Sequence, residues 1–168
     1  MSAFVSATKE HTCISPVEFR LACARFATGV CVLTACNRDG VPHGLTVNSF
    51  SSVSLDPPLV MVAIDHLSTQ LEGFDDAHFF AVNILTDKQQ SLSVYFATRE
   101  PGRFDGISWT PGQTGAPVLE ETLGVIECRT IQKFDAGDHR ILVGEAVAAK
   151  THEGRPLLYY RSGYGGFQ

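Results

Sequence analysis

The chain lacks any block of Lys or Arg: 13 basic residues are scattered among 18 acidic ones, for a formal net charge of -5. Binding to a phosphate backbone runs on basic patches, so nucleic acid is not an expected partner. An anionic membrane surface is set aside on the same ground. No apolar run approaches the roughly 18 residues needed to span a bilayer. Met1 to Glu10 shows no basic stretch leading into an apolar one, so no secretory signal is expected. The five cysteines, Cys13, Cys23, Cys31, Cys36 and Cys128, are odd in number and never spaced CxxC. A disulfide framework or zinc ribbon would look different, and the expectation is reduced, mostly buried thiols in a cytoplasmic protein. The six histidines are scattered without metal-ligand spacing, so no metal site is expected. P-loop, GxSxG, HExxH and GxGxxG patterns are all missing. A nicotinamide, if used, is therefore not held in the doubly wound manner.

What is present is enough for one folded domain. The chain has 168 residues, 44% of them hydrophobic, and domains cluster at about 100–150 residues. Residues 1–14 show no periodicity and are expected to form a loose tail, with a single domain over 15–168. Ser15-Pro16-Val17-Glu18 carries a capping box with proline at the first helical position. Phe19, Ala22, Cys23 and Phe26 then recur three and four apart in a helix that stops before Gly29. Val30–Ala35, Val41–Phe50, Leu59–Ile64 and Phe79–Leu85 read as strands, with Asp39-Gly40 suited to a turn and Asp56-Pro57-Pro58 a breaker. Ser68–Asp75 reads as a short helix, and Asp87 as the cap of another through Phe96. Residues 99–117 hold three prolines and four glycines and are expected to form a long loop. Leu123–Phe134 and Ile141–Ala149 read as long strands joined by a hairpin at Asp135–Arg140, and Leu157–Tyr160 as the strand that closes the sheet. The expected fold is mainly β with peripheral helices, a closed or partly closed antiparallel barrel.

One segment stands out chemically. Gly44–Ser54 packs hydroxyls and an amide densely between apolar strands. Taken alone, it reads better as a polar turn whose Ser and Thr satisfy local backbone groups. The second reading is a set of donors and acceptors for a flat heterocycle such as a flavin ring. Ser68-Thr69 reads as an N-cap or as a phosphate seat. His139, in a hairpin between Asp138 and Arg140, reads first as a solvated loop residue. The Gly163–Gly166 tail reads as a frayed end or an aromatic lid.

Phe26-Ala27-Thr28-Gly29-Val30, Gly44–Ser54, Leu55–Val60, Phe80–Leu85, Gly137-Asp138-His139 and Pro156–Tyr160 occur in this order. Together they resemble the short-chain flavin reductases that serve two-component flavin-dependent monooxygenases, over about residues 16–164. The resemblance implies a split β-barrel homodimer, binding of FMN or FAD, and NAD(P)H:flavin oxidoreductase activity with NADH or NADPH as co-substrate. It also implies that reduced flavin is supplied to a partner monooxygenase. By position, Thr46, Val47, Asn48, Ser49 and Phe50 would line the flavin ring, with Ser52 and Val53 further along. Leu67, Ser68 and Thr69 would meet the ribityl-phosphate region, and His139 would face the nicotinamide as the catalytic residue. Ser162, Gly163, Tyr164 and Gly165 would complete the nucleotide pocket. Some members of that family carry lysine near the Ser68 and Thr69 positions; the hydroxyls here leave FMN against FAD open. The alternatives are a non-catalytic flavin-binding module and another split-barrel flavoprotein oxidase. An oxidase for a phosphorylated pyridoxal-type substrate should need several Arg or Lys, and Gly44–Ser54 has none.

Overall fold

The computed structural model describes residues 13–98 and 104–166. Most of the expected N-terminal tail, and residues 99–103 of the expected long loop, lie outside the described residues. Helix α1 (Pro16–Cys23) starts as its sequence dictates. The Ser15 hydroxyl accepts the Glu18 N–H at 3.2 Å and the Glu18 carboxylate accepts the Ser15 N–H at 3.0 Å. The helix ends at Cys23, well before Gly29, and its apolar residues do not form a core face. Val17, Phe19 and Leu21, with Ile14 and Phe26 flanking them, are all exposed.

The chain continues through β1 (Thr28–Gly29), β2 (Cys31–Cys36), β3 (Pro42–Val47), β4 (Ser51–Leu55) and β5 (Pro58–Asp65). After α2 (Leu71–Asp76) come β6 (Phe79–Ile84) and α3 (Gln90–Ala97). Next are the short hairpin β7 (Trp109–Pro111) and β8 (Pro117–Leu119), then the long hairpin β9 (Gly124–Ala136) and β10 (His139–Thr151). Strands β11 (Leu157–Tyr160) and β12 (Gly163–Gly166) end the described chain.

Seven strands form one antiparallel sheet in the order β3-β2-β6-β9-β10-β5-β4. Its two edge strands, β3 and β4, are neighbours in the chain, and the bend between them folds back onto β5. There the Ser49 hydroxyl donates to the Ala63 carbonyl at 2.8 Å and accepts the Ala63 N–H at 3.1 Å. Strand β11 does not close this sheet, contrary to expectation. It pairs instead with β1 and β12 in a three-stranded sheet of order β1-β11-β12. Sequence pattern marks Leu157–Tyr160 as a strand, but pairing partner is a long-range property.

The helix starts also differ. Ser68 and Thr69 lie in a turn before α2, whose N-cap is Gln70. Asp87 is not the cap either: Thr86 and Gln89 form a capping box over a 3-10 turn, Asp87–Gln89, that leads into α3. No helix among the described residues is long and apolar enough to cross a membrane.

The apolar runs of β2 and β6 become the most buried strands, while β5 buries alternate residues. Leu33, Ile64, Phe80, Val82 and Leu142 build the core on one face of the sheet, while Val32, Leu85, Phe96, Leu119 and Leu157 build the other. Gly144 is required here, because a Cβ would lie 2.5 Å from the Phe80 ring and 2.8 Å from Cys128 Cβ. A buried polar hub fixes the β7–β8 hairpin to the sheet. Asn83 donates to the Val32 carbonyl and the Thr34 hydroxyl and accepts the Leu119 N–H at 2.9 Å; Thr34 donates to the Pro117 carbonyl. Each of these side-chain groups has a partner, so burial leaves no orphan cost. The cysteines divide: Cys31 and Cys128 are buried, Cys36 is intermediate, and Cys13 and Cys23 are exposed. Burial pushes the Cys31 and Cys128 thiols up to about 12.

A second anchor is Glu127 on β9, which is 4% exposed. Burial alone would raise its pKa. The Thr114 N–H and hydroxyl and the Gln113 N–H, with Lys150 nearby, outweigh that and hold the carboxyl below its usual 4.5. The three donors lie 2.7–3.1 Å from its oxygens and tie down the β7–β8 turn. A depressed folded-state pKa adds stability that is present above the unfolded value and lost as pH falls through the folded one. Glu127→Gln is therefore expected to lower unfolding stability by about 2 kcal/mol at neutral pH, the range for hydrogen bonds to a charged group. In denaturant titrations the gap to wild type should narrow as pH drops below 4.5. A gap independent of pH would contradict this account.

Candidate functional site

The site is built where β3 meets α3. Gly44 lets the two approach: a Cβ there would lie 2.7 Å from the Phe96 ring. Beyond this contact β3 and α3 diverge and leave two adjoining hollows of about 210 Å³ each. The first is lined by Val30, Thr46, Val47, Asn48, Ala97, Tyr159 and Tyr164. The second is lined by Leu45, Thr46, Asp65, Leu67, Ser68, Thr69, Phe96, Ala97 and Thr98. Thr46 and Ala97 belong to both, so the two form one groove.

Seven of the expected residues thus come together: Thr46, Val47, Asn48, Tyr164, Leu67, Ser68 and Thr69. They derive from three separate parts of the chain. Thr46 donates its hydroxyl hydrogen to the Ser93 carbonyl at 2.6 Å, which leaves its oxygen as an acceptor. Tyr164 packs edge-on against Tyr159, its ladder partner, with centroids 5.3 Å apart, and shares a 2.9 Å hydrogen bond with the Ser93 hydroxyl. The β11–β12 turn presents Tyr164 by placing Arg161 and Ser162 at φ 49° and 62°. Left-handed non-glycine residues cost about 1–3 kcal/mol each and cluster at functional sites.

Other expected residues lie elsewhere. The Ser49 hydroxyl is engaged with Ala63, and Phe50 packs on the sheet core. Ser52 and Val53 are exposed on the edge strand β4. Gly163 and Gly165 pair with β11 and line neither hollow, nor does Ser162. His139 begins β10 directly opposite Asp65, a groove residue. Its ring accepts or donates at 2.7 Å to Asp138, its side chain is 42% exposed, and it lines neither hollow.

The hairpin that carries His139 is nonetheless tied to the groove. The His66 N–H donates to the Asp138 carbonyl, and His66 Nε2 lies 3.0 Å from Asp135 Oδ1. Arg140 donates to the same Asp135 oxygen at 2.7 Å and to Asp75 at 2.6 Å. The Arg140 guanidinium, with His66, holds the Asp135 carboxyl below its usual range. This network fixes the Asp65–Thr69 turn, where Asp65 accepts the Leu67 N–H at 2.8 Å and Ser68 accepts the Gln70 N–H.

Sequence reasoning missed Ser93, Ala97 and Asp65. Ser93 and Ala97 sit on α3, whose sequence marks neither of them off from its neighbours. Asp65, at the end of an apolar strand, gave a hint only in retrospect. Larger hollows exist but suit a ring poorly. One of about 630 Å³ is lined by Asp87, Lys88, Glu121, Glu153 and Arg155 among others, with no Phe, Tyr or Trp among its described lining residues. Binding sites for flat organic ligands combine apolar and aromatic walls with a few placed polar groups, as in the first hollow of the β3–α3 groove.

Comparison with known proteins gives the family. A family model described as a flavin reductase like domain matches residues 23–168. The chain is 44% identical over 150 residues to the FMN reductase (NADH) SmoA of Agrobacterium fabrum, covering 89% of this chain and 85% of that protein. It is 37% identical over 161 residues to HsaB, the reductase subunit of a flavin-dependent monooxygenase of Mycobacterium tuberculosis, covering 92% and 84%. A solved NADH:FAD oxidoreductase of Streptomyces globisporus, in complex with NAD and FAD fragments, is similar with a TM-score of 0.86 and 29% identity, covering 94% of this chain and 98% of that one.

Asp135→Asn removes the charge that joins His66 to Arg140. Amide hydrogen exchange at Leu67 and Ser68 should accelerate while the midpoint of global unfolding stays in place, because exposed ion pairs contribute little to global stability. Unchanged exchange in this turn would show that the network does not hold it.

Proposed function

The chain belongs to the flavin reductase-like family, and from that premise we propose that it is an NAD(P)H:flavin oxidoreductase whose flavin ring lies in the groove between β3 and α3. The carrying observation is the convergence of Thr46, Val47 and Asn48 with Leu67, Ser68 and Thr69 along one groove. Its chemistry fits the group. Val30, Val47 and Ala97 offer an apolar wall, Tyr159 and Tyr164 aromatic surface, and Thr46 and Asn48 polar atoms for the heteroatom edge.

A bound flavin supplies the hydride-accepting ring, and reduced nicotinamide the hydride. The residues of this chain align and exclude. Such alignment is worth about 7–11 kcal/mol in the best cases. Hydride transfer needs no side-chain base, and none among the described residues lines the first hollow. His139 steadies the nicotinamide at the open side, next to Asp65 in the ladder. Ser68 and Thr69 take the ribityl-phosphate end. No Lys or Arg among the described residues lines either hollow, so phosphate contact there falls to hydroxyls and backbone N–H groups.

The seven-stranded sheet, with its β3–β4 corner bonded back to β5, supports a split barrel. The exposed apolar residues of α1, with Val53 and Leu55 on β4, support a symmetric homodimer that covers them. The five free thiols accord with a reducing cytoplasm. The relatives that are reductase subunits of monooxygenases support a role in supplying reduced flavin to such a partner. Release of the product flavin to a second protein requires a shallow groove, so the purified protein should lose flavin on gel filtration.

The test is NADH oxidation followed in absorbance, with and without added FMN or FAD. Flavin-dependent turnover is expected; flavin binding without turnover would favour a non-catalytic flavin-binding module. His139→Ala should raise the KM for NADH several-fold and leave the FMN dissociation constant unchanged. Full turnover with an unaltered NADH KM would remove His139 from the site. Light scattering should give a dimer, and a fully active monomer would contradict the proposed assembly.

A further inference from the structure

We propose that Ser93, which lines neither hollow, is a positioning residue that sets the two walls of the ring site against each other. The proposal rests on the flavin reading of the groove. Ser93 is 0% exposed on α3. A serine inside a helix ordinarily points to solvent or bonds back to the preceding turn. Alanine would serve α3 better as a helix former. The Ser93 hydroxyl instead shares a 2.9 Å hydrogen bond with the Tyr164 hydroxyl on β12, 71 residues away in the chain. Its carbonyl, on the same residue, accepts the Thr46 hydroxyl from β3 at 2.6 Å. Thr46 and Tyr164 both line the first hollow, whereas Ser93 stands behind them. One buried residue therefore fixes the spacing of two elements that share no strand pairing. The Tyr159–Tyr164 edge contact depends on the same anchor, since the Tyr164 hydroxyl sets where its ring stands.

The test uses the full-length protein and steady-state NADH oxidation with FMN or NADH varied in turn. Ser93→Ala should raise the KM for FMN about fivefold, the size of one hydrogen bond, with the KM for NADH unchanged. Tyr164→Phe removes the same bond from its other end and should raise the FMN KM alike. The double variant should add little more, because both singles break one interaction. Two variants that each remove the bond keep the test decisive even if one folds poorly. A wild-type FMN KM in Ser93→Ala, or effects of the two substitutions that simply multiply, would overturn the proposal. So would a lowered melting temperature with both KM values unmoved, which marks a purely structural serine. A wild-type protein that neither binds FMN nor oxidises NADH with it would overturn the flavin reading itself, and the Ser93 role with it.

Discussion

The close approach of β3 and α3 over Gly44 is the constraint from which the rest of the site follows. With no side chain at Gly44, the Phe96 ring lies against the strand. That contact places Ala97 and Thr98 beside Thr46, and the groove opens directly beyond it. The Thr46 hydroxyl and Ser93 carbonyl then lock the spacing. A larger residue at position 44 would push α3 away and take Phe96 with it. Phe96 also stacks edge-to-face on Phe104, which in turn meets Trp109. The same contact therefore links the groove to the β7–β8 region.

The remaining walls are held by groups far from the groove. Arg140, Asp135 and His66 form a chain of hydrogen bonds that settles the Asp65–Thr69 turn and joins it to the Gly137-Asp138-His139 hairpin. Two segments proposed to meet different ligands, the flavin phosphate end and the nicotinamide side, thus share one polar support. All the partners are at least partly exposed, so the network serves geometry more than stability. The buried Asn83 hub and Glu127 do the opposite. They are buried and partnered, line neither hollow, and hold the scaffold.

Much of this was legible in the residues. The capping box at Ser15, the buried runs of β2 and β6, the strand β5, and the long β9–β10 hairpin all follow from local pattern. The failures share one cause: pairing and burial depend on what lies opposite. Leu157–Tyr160 was readable as a strand but not as a member of a second sheet. The apolar spacing of α1 was readable as a packed face, yet nothing among the described residues covers it. In the site, the Thr46–Asn48 cluster and Ser68-Thr69 were readable as polar atoms among apolar strands. Ser49 and Phe50 belong to the same stretch but turn to β5 and the core. Ser93 was silent, because nothing in the sequence of α3 sets it apart from Ser91 or marks a partner 71 residues away.

The account stands or falls on where the ring lies, and a crystal structure of the protein grown with FMN tests that directly. Density for the isoalloxazine is expected between β3 and α3, against Thr46, Val47 and Tyr164. Density in the charged hollow around Lys88 and Arg155, or at the exposed β4 edge, would contradict it.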